Sequence, residues 1–155
     1  MIKNIIFDLG GVLVPERGRT IRRAIAKELG VDNPDLLFTD KLRYQAARGE
    51  IRLLDLYKEI IRKADKKLNP EKLLSKHLEI YKKTSVNIDR EILSIITKLK
   101  SGYRVACLTN TETEIAEYNR RRGLFDYFDK AYISTEMGLM KPQTEIYHKV
   151  LENLE

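Results

Sequence analysis

Three chemistries recur where an apolar run gives way to a loop. Asp8 follows Ile5-Ile6-Phe7 and precedes Gly10-Gly11, Thr109 and Asn110 follow Val105-Ala106-Cys107-Leu108, and Lys141 lies in the loop after Lys130 to Ile133. A carboxylate can attack a phosphoryl group, a hydroxyl and a backbone N–H can hold its oxygens, and an ammonium can neutralise charge on both partners. Phosphoryl transfer needs mainly positioning and charge stabilisation, so these few groups cover much of it. Taken singly, each has a plain structural reading. Asp8 would accept hydrogen bonds from the Gly-Gly turn. Thr109 and Thr111, each three residues before a glutamate, would open capping boxes with Glu112 and Glu114. Lys141 would be a solvated loop lysine. Their joint placement argues for a site.

The elements that must position them are readable from apolar spacing. Ile2 to Phe7, Tyr103 to Leu108 and Lys130 to Ile133 are short continuous apolar runs, as expected of strands covered on both faces. From Pro15 to Ser85 the spacing is helical, with Ile21, Ala24, Ile25 and Leu29, then Ile51, Leu54, Tyr57, Ile60 and Ile61, then Leu73, Leu74, His77, Leu78 and Tyr81. A stretch of this length is too long for a loop and predicts a helical lobe over residues 15–85, inserted into a core of residues 1–14 and 86–155. Helical faces at Ile88 to Leu99, Thr111 to Arg122 and from Pro142 onward alternate with the later strands. This order predicts an α/β fold: a Rossmann-like parallel sheet of about three strands with right-handed crossovers. Ligands in such sheets bind beyond the carboxyl ends of the strands, where Asp8, Thr109, Asn110 and Lys141 fall.

Composition bounds the function classes. The chain has 155 residues, 43% hydrophobic and 34% charged, with a formal net charge of +6. It suits one core with an accessory lobe. No apolar run is long enough to span a bilayer and no signal-peptide pattern opens the chain, so the expectation is a cytoplasmic protein without a membrane partner. Arginines cluster at Arg17-Arg19-Arg22-Arg23 and Arg120-Arg121-Arg122, but no basic tract is interleaved with aromatics, which argues against nucleic acid and for a small anionic metabolite. Cys107, the only cysteine, sits in an apolar run and is read as an inert buried thiol. His77 and His148 have no Cys or Asp at ligand spacing and are read as core or surface residues.

Ile5-Ile6-Phe7-Asp8-Leu9-Gly10-Gly11-Val12-Leu13, Leu108-Thr109-Asn110, and Ser134 through Lys141-Pro142 to Ile146-Tyr147 resemble the first three motifs of the haloacid dehalogenase superfamily. The resemblance is nearest to its sugar-phosphate phosphatase branch. The helical insert stands where that family carries its type-one cap, and Arg48-Gly49-Glu50-Ile51 resembles a recurrent cap segment. The resemblance implies Asp8 as nucleophile, Thr109, Asn110 and Gly11 as phosphate binders, Lys141 as the charge-neutralising lysine, and magnesium held by Asp8 and the Gly10 carbonyl. Arg19, Arg22, Arg48 and Tyr44 are candidates for contact with the rest of the substrate, unranked by sequence.

Two departures from the family pattern carry expectations. The position two residues after the nucleophile, where most phosphatases of the family place an acid/base aspartate, is Gly10. Loss of a positioned general acid forfeits about 10²- to 10⁴-fold in rate, or about 3 to 5 kcal/mol, and favours esters with good leaving groups. The family's fourth motif, an acidic pair on a further strand, would follow the helix begun at Pro142, yet the sequence ends at Glu155. Magnesium is therefore expected to bind weakly. The expectation is also that the chain is the front part of a longer protein, with the edge of its first strand open to association. The alternatives to a phosphatase are a catalytically impaired phosphate-binding protein of the same fold and a 2-haloacid dehalogenase-like hydrolase.

Overall fold

The computed structural model describes residues 2–16 and 18–154. Arg17 of the first basic cluster, and the terminal residues of the expected core, lie outside that range. Three strands, β1 (Asn4–Phe7), β2 (Arg104–Thr109) and β3 (Lys130–Ile133), form a parallel sheet in the order β1-β2-β3. Phe7 pairs with Cys107, and Thr109 with Ile133, so the three strands end close together on one side of the sheet. Helices α1 (Gly18–Leu29), α2 (Asp40–Ala47), α3 (Leu53–Lys63) and α4 (Pro70–Ser85) fill the interval between β1 and the rest of the core. Helix α5 (Arg90–Leu99) leads into β2, α6 (Thr113–Arg121) follows it, the one-turn α7 (Ser134–Met137) follows β3, and α8 (Thr144–Glu152) comes last.

Burial is divided accordingly. Ile21, Ile25, Leu29, Leu53, Tyr57, Ile60 and Leu73 make a core within α1–α4 that also takes in Ile115 of α6. One sheet face packs Val105, Cys107 and Ile133 against Ile96, Ala116, Leu124 and Phe125. The other packs Ala106, Leu108 and Tyr132 against Ile146, Val150 and Leu154. Helix starts follow local chemistry where it is present: Asp89 caps α5 by accepting from Glu91 N–H and Ile92 N–H, and Asn69 caps α4 by accepting from Glu71 N–H with Pro70 in the first turn.

The first strand departs from expectation. The central β2 is buried from Val105 to Thr109, as predicted for a strand covered on both faces. By contrast, β1 is only half-buried and Ile6 is 40% exposed. Ile6 pairs with Ala106 and so lies toward the α8 side, where a single helix covers the face. Beyond Phe7 the chain leaves the sheet, and the N–H groups of Val12, Leu13 and Val14 all turn back to the Leu9 carbonyl. Cys107 is buried, and burial with the nearby Asp8 charge pushes its thiol up to about 12. Among the described residues no helix is long and apolar enough to cross a membrane.

Candidate active site

At the carboxyl end of the sheet the side chain of Asp8 is 46% exposed and 2.7 Å, through Oδ2, from Lys141 Nζ. Its other oxygen accepts from the N–H of Leu9 at 2.7 Å. Lys141 reaches Asp8 from a different part of the chain because two groups hold it. Nζ also donates to the Leu108 carbonyl at 2.9 Å, at the end of β2. The Asn110 side chain grips the Lys141 backbone, with Nδ2 donating to Lys141 O at 2.8 Å and Oδ1 accepting from Lys141 N–H at 2.9 Å. The loop itself is shaped by Gly138, whose φ of 66° suits a residue without a side chain. Gln143 Oε1 fixes it further by accepting from Met140 N–H at 2.9 Å.

Lys141 is thus in direct contact with both Asp8 and Asn110, and Thr109 stands buried at the end of β2. With its side chain spent on Lys141, Asn110 keeps only its backbone N–H free among the described loop hydrogen bonds; that of Thr111 donates to Ser134 Oγ. The N–H of Gly11, the other expected phosphate binder, donates to Val14 O at 2.7 Å. The neighbouring Gly10 faces open space, with no heavy atom within 4 Å of where a Cβ would stand.

A cavity of about 320 Å³ opens next to this cluster, between the sheet end and α1–α4. Its wall includes Gly10, Thr109 and Asn110 on the sheet side and Arg22, Tyr44, His77 and Tyr81 on the helical side. Asp8 and Lys141 are not in that wall; they adjoin it through Gly10, two residues on from Asp8, and through Asn110. Deeper in, Tyr57 Oη and His77 Nδ1 form a buried hydrogen-bonded pair at 2.6 Å. Burial lowers the His77 pKa below its ordinary value, with Glu112 and Glu114 pulling the other way. His148 is exposed.

The expected capping boxes do not form. Helix α6 starts after Glu112, without a side-chain cap. Glu114 is instead turned across to the helical lobe, where it accepts from Leu53 N–H at 3.2 Å and pairs with Arg52 at 3.0 Å. It thereby caps α3 from another part of the fold. Arg48 is drawn away from the cavity to Glu50, at 2.7 Å. Gly49 lies so close to Thr135, just after β3, that a Cβ would come within 2.8 Å of the Thr135 carbonyl. Neither the Glu114 contacts nor the approach of Gly49 to Thr135 is signalled by local sequence.

Comparison with known proteins gives this geometry a setting. The chain is 26% identical over 166 residues to the D-ribitol-5-phosphate phosphatase of Bacteroides thetaiotaomicron, covering 99% of this chain and 77% of that protein. A haloacid dehalogenase family enzyme of the same organism, crystallised with magnesium and inorganic phosphate, superposes with a TM-score of 0.76 at 28% identity, over 99% of this chain and 79% of that one. The 2-haloacid dehalogenase of Pseudomonas syringae pv. tomato superposes with a TM-score of 0.60 at 19% identity, over 99% and 73% of the two chains, a likeness of fold alone. Residues 2–155 match the haloacid dehalogenase-like hydrolases, and the chain belongs to that family.

Proposed function

We propose that this hydrolase is a magnesium-assisted phosphatase acting on a small sugar or sugar-alcohol phosphate, with Asp8 as nucleophile. The observation that carries the reading is the Asp8–Lys141 contact of 2.7 Å beside the cavity. An exposed carboxylate with a lysine fixed against one oxygen can attack phosphorus while the developing charge is neutralised. Asp8 Oδ forms a bond to phosphorus as the bond from phosphorus to the ester oxygen breaks, and that oxygen takes its proton from solvent, to which the later attack of water returns one. Water then attacks the phosphorus of the aspartyl-phosphate, and cleavage of its bond to Asp8 releases inorganic phosphate and restores the carboxylate. In this reading the Thr109 hydroxyl and the Asn110 N–H hold phosphoryl oxygens, and residues 15–85 act as a cap over the leaving group.

Magnesium fits the residues present at the lower limit of what it requires. Asp8 and the Gly10 carbonyl would hold it, since magnesium keeps several waters and accepts one or two carboxylates along with substrate phosphate. Among the described residues no group of three His, Cys, Asp or Glu is placed to bind a metal. When bound, the ion supplies positive charge to the phosphoryl oxygens. The related enzyme crystallised with magnesium and phosphate supports this assignment. A volume near 320 Å³ admits a small metabolite.

The test is release of inorganic phosphate from p-nitrophenyl phosphate and a panel of sugar phosphates, with and without magnesium. Asp8→Asn should lower kcat by at least about 10³-fold by removing the nucleophile. Undiminished turnover by that variant would refute the mechanism.

A further inference from the structure

Arg22 lies in the second turn of α1 and contributes to the cavity wall. Its Nε is fully buried and has no hydrogen-bond partner, and among the described residues its guanidinium makes no ion pair. A guanidinium that lines a cavity and is left without an acceptor by the protein is placed to donate to a ligand there. Arg48 Nε is also buried without a hydrogen bond, but the other basic candidates differ in pairing or in place. Arg48 is paired with Glu50, while Arg19 and Arg23 are exposed and line an outer groove of α1.

Next to Arg22 stands a carboxylate from the loop after β1. The Gly18 N–H donates to Glu16 Oε1 at 2.8 Å, and Glu16 also lines the cavity. Glu16 Oε1 and Arg22 Nη1 lie 2.8 and 3.3 Å from the point where a Cβ on Gly18 would sit, yet they form no ion pair with each other. The missing side chain of Gly18 thus leaves a small space bordered by a donor and an acceptor. A second anion there would be opposed by Glu16 and by Glu112, which lines the same cavity. A hydroxyl group suits both borders, since it accepts from a guanidinium and donates to a carboxylate.

We infer that Arg22 and Glu16 form a hydroxyl-reading subsite for the organic part of the substrate, selecting esters whose carbon chain carries hydroxyls beyond the phosphorylated end. This rests on the phosphatase reading of Asp8 and names two residues that set its specificity.

The experiment measures binding, so it does not depend on turnover. The Asp8→Asn protein, in magnesium buffer, is titrated calorimetrically with D-ribitol 5-phosphate, 2-phosphoglycolate and inorganic phosphate. Adding Arg22→Gln should weaken D-ribitol 5-phosphate about tenfold, the loss of one charge-assisted hydrogen bond, and inorganic phosphate less than about twofold. Arg23→Gln removes the same charge from the exposed side of α1 and should change neither. Gly18→Ala, which crowds the shared space without altering charge, should reproduce the selective loss.

Equal losses for D-ribitol 5-phosphate and inorganic phosphate would overturn the subsite, as would a larger loss for 2-phosphoglycolate, which would mark a carboxylate reader. Unchanged D-ribitol 5-phosphate binding in both Arg22→Gln and Gly18→Ala would also overturn it. Failure of the Asp8→Asn protein to bind inorganic phosphate at all would sink the phosphatase reading, and the subsite with it.

Discussion

Replacing Gly10 by aspartate should create the general acid that this chain lacks. The structure makes the substitution sterically simple. Gly10 does not have a positive φ, and no heavy atom lies within 4 Å of a Cβ built there. The new carboxylate would enter the cavity wall two residues from Asp8, on the side from which a leaving group departs under the proposed mechanism. A positioned general acid contributes about 10²- to 10⁴-fold, or about 3 to 5 kcal/mol of barrier. The gain should be concentrated where protonation is needed. For an alkyl ester such as D-ribitol 5-phosphate, kcat/KM should rise by about 10²-fold or more, whereas p-nitrophenyl phosphate, whose leaving group departs as a stabilised anion, should gain less than about fivefold. Gly10→Ala controls for loop stiffening and should give neither gain. The assay is phosphate release for both esters by wild type, Gly10→Asp and Gly10→Ala. An equal gain on both esters, or none on the alkyl ester from a well-folded Gly10→Asp protein, would refute the argument that Gly10 limits the wild-type reaction through leaving-group protonation.

Two further predictions concern the lobe. Glu114→Ala removes the acceptor at the start of α3 and the partner of Arg52; because Arg52 is half exposed, the ion pair counts for little and the loss should be about 1 kcal/mol by urea unfolding, chiefly from the lost cap. His77 should make stability depend on pH in a defined direction. Its folded pKa is lowered by burial, so below the ordinary value the unfolded chain takes up a proton that the folded chain resists, and stability falls with pH. The slope cannot exceed about 1.4 kcal/mol per pH unit for one proton, and should flatten in His77→Gln, as checked by urea unfolding at several pH values between 7.5 and 5.

Much of the site could be read in advance because its residues stand at the ends of short apolar runs. Asp8, Thr109 and Lys141 were placed by that logic alone: a parallel sheet brings strand ends together however distant they are in sequence. The family resemblance then supplied their roles. What could not be read depends on tertiary partners. The run Ile5-Ile6-Phe7 is as apolar as that of β2, but exposure of Ile6 depends on how far α8 extends across the sheet. Thr109-x-x-Glu112 and Thr111-x-x-Glu114 have the spacing of capping boxes, yet Glu114 finds Arg52 and Leu53 from another helix, and that alternative lies 61 and 62 residues away. Arg22 could be named as a candidate but not ranked, since its distinction from Arg19 and Arg48 is a guanidinium that lines the cavity with no ion pair among the described residues.

The constraints on Lys141 also say where this site is rigid and where it can adapt. A lysine side chain carries about 2 kcal/mol of rotamer entropy, which a catalytic lysine must otherwise lose when substrate binds. Here Asn110 grips the backbone from both sides, and Nζ is shared between the Leu108 carbonyl and Asp8, so that ordering is complete before any ligand arrives. Both anchors, Leu108 and Asn110, belong to β2 and the turn that follows it, the best-buried part of the sheet. The helical wall of the cavity is differently supported. Arg22, Tyr44 and His77 stand on α1, α2 and α4; α4 is tied to α1 partly by the exposed Lys72–Glu28 pair, and the start of α3 meets α6 through Arg52–Glu117, contacts of small individual worth. Preorganised charge at the phosphoryl end with a more yielding wall at the other end permits substrate preference to change by substitution in the helices while the phosphoryl chemistry stays in place.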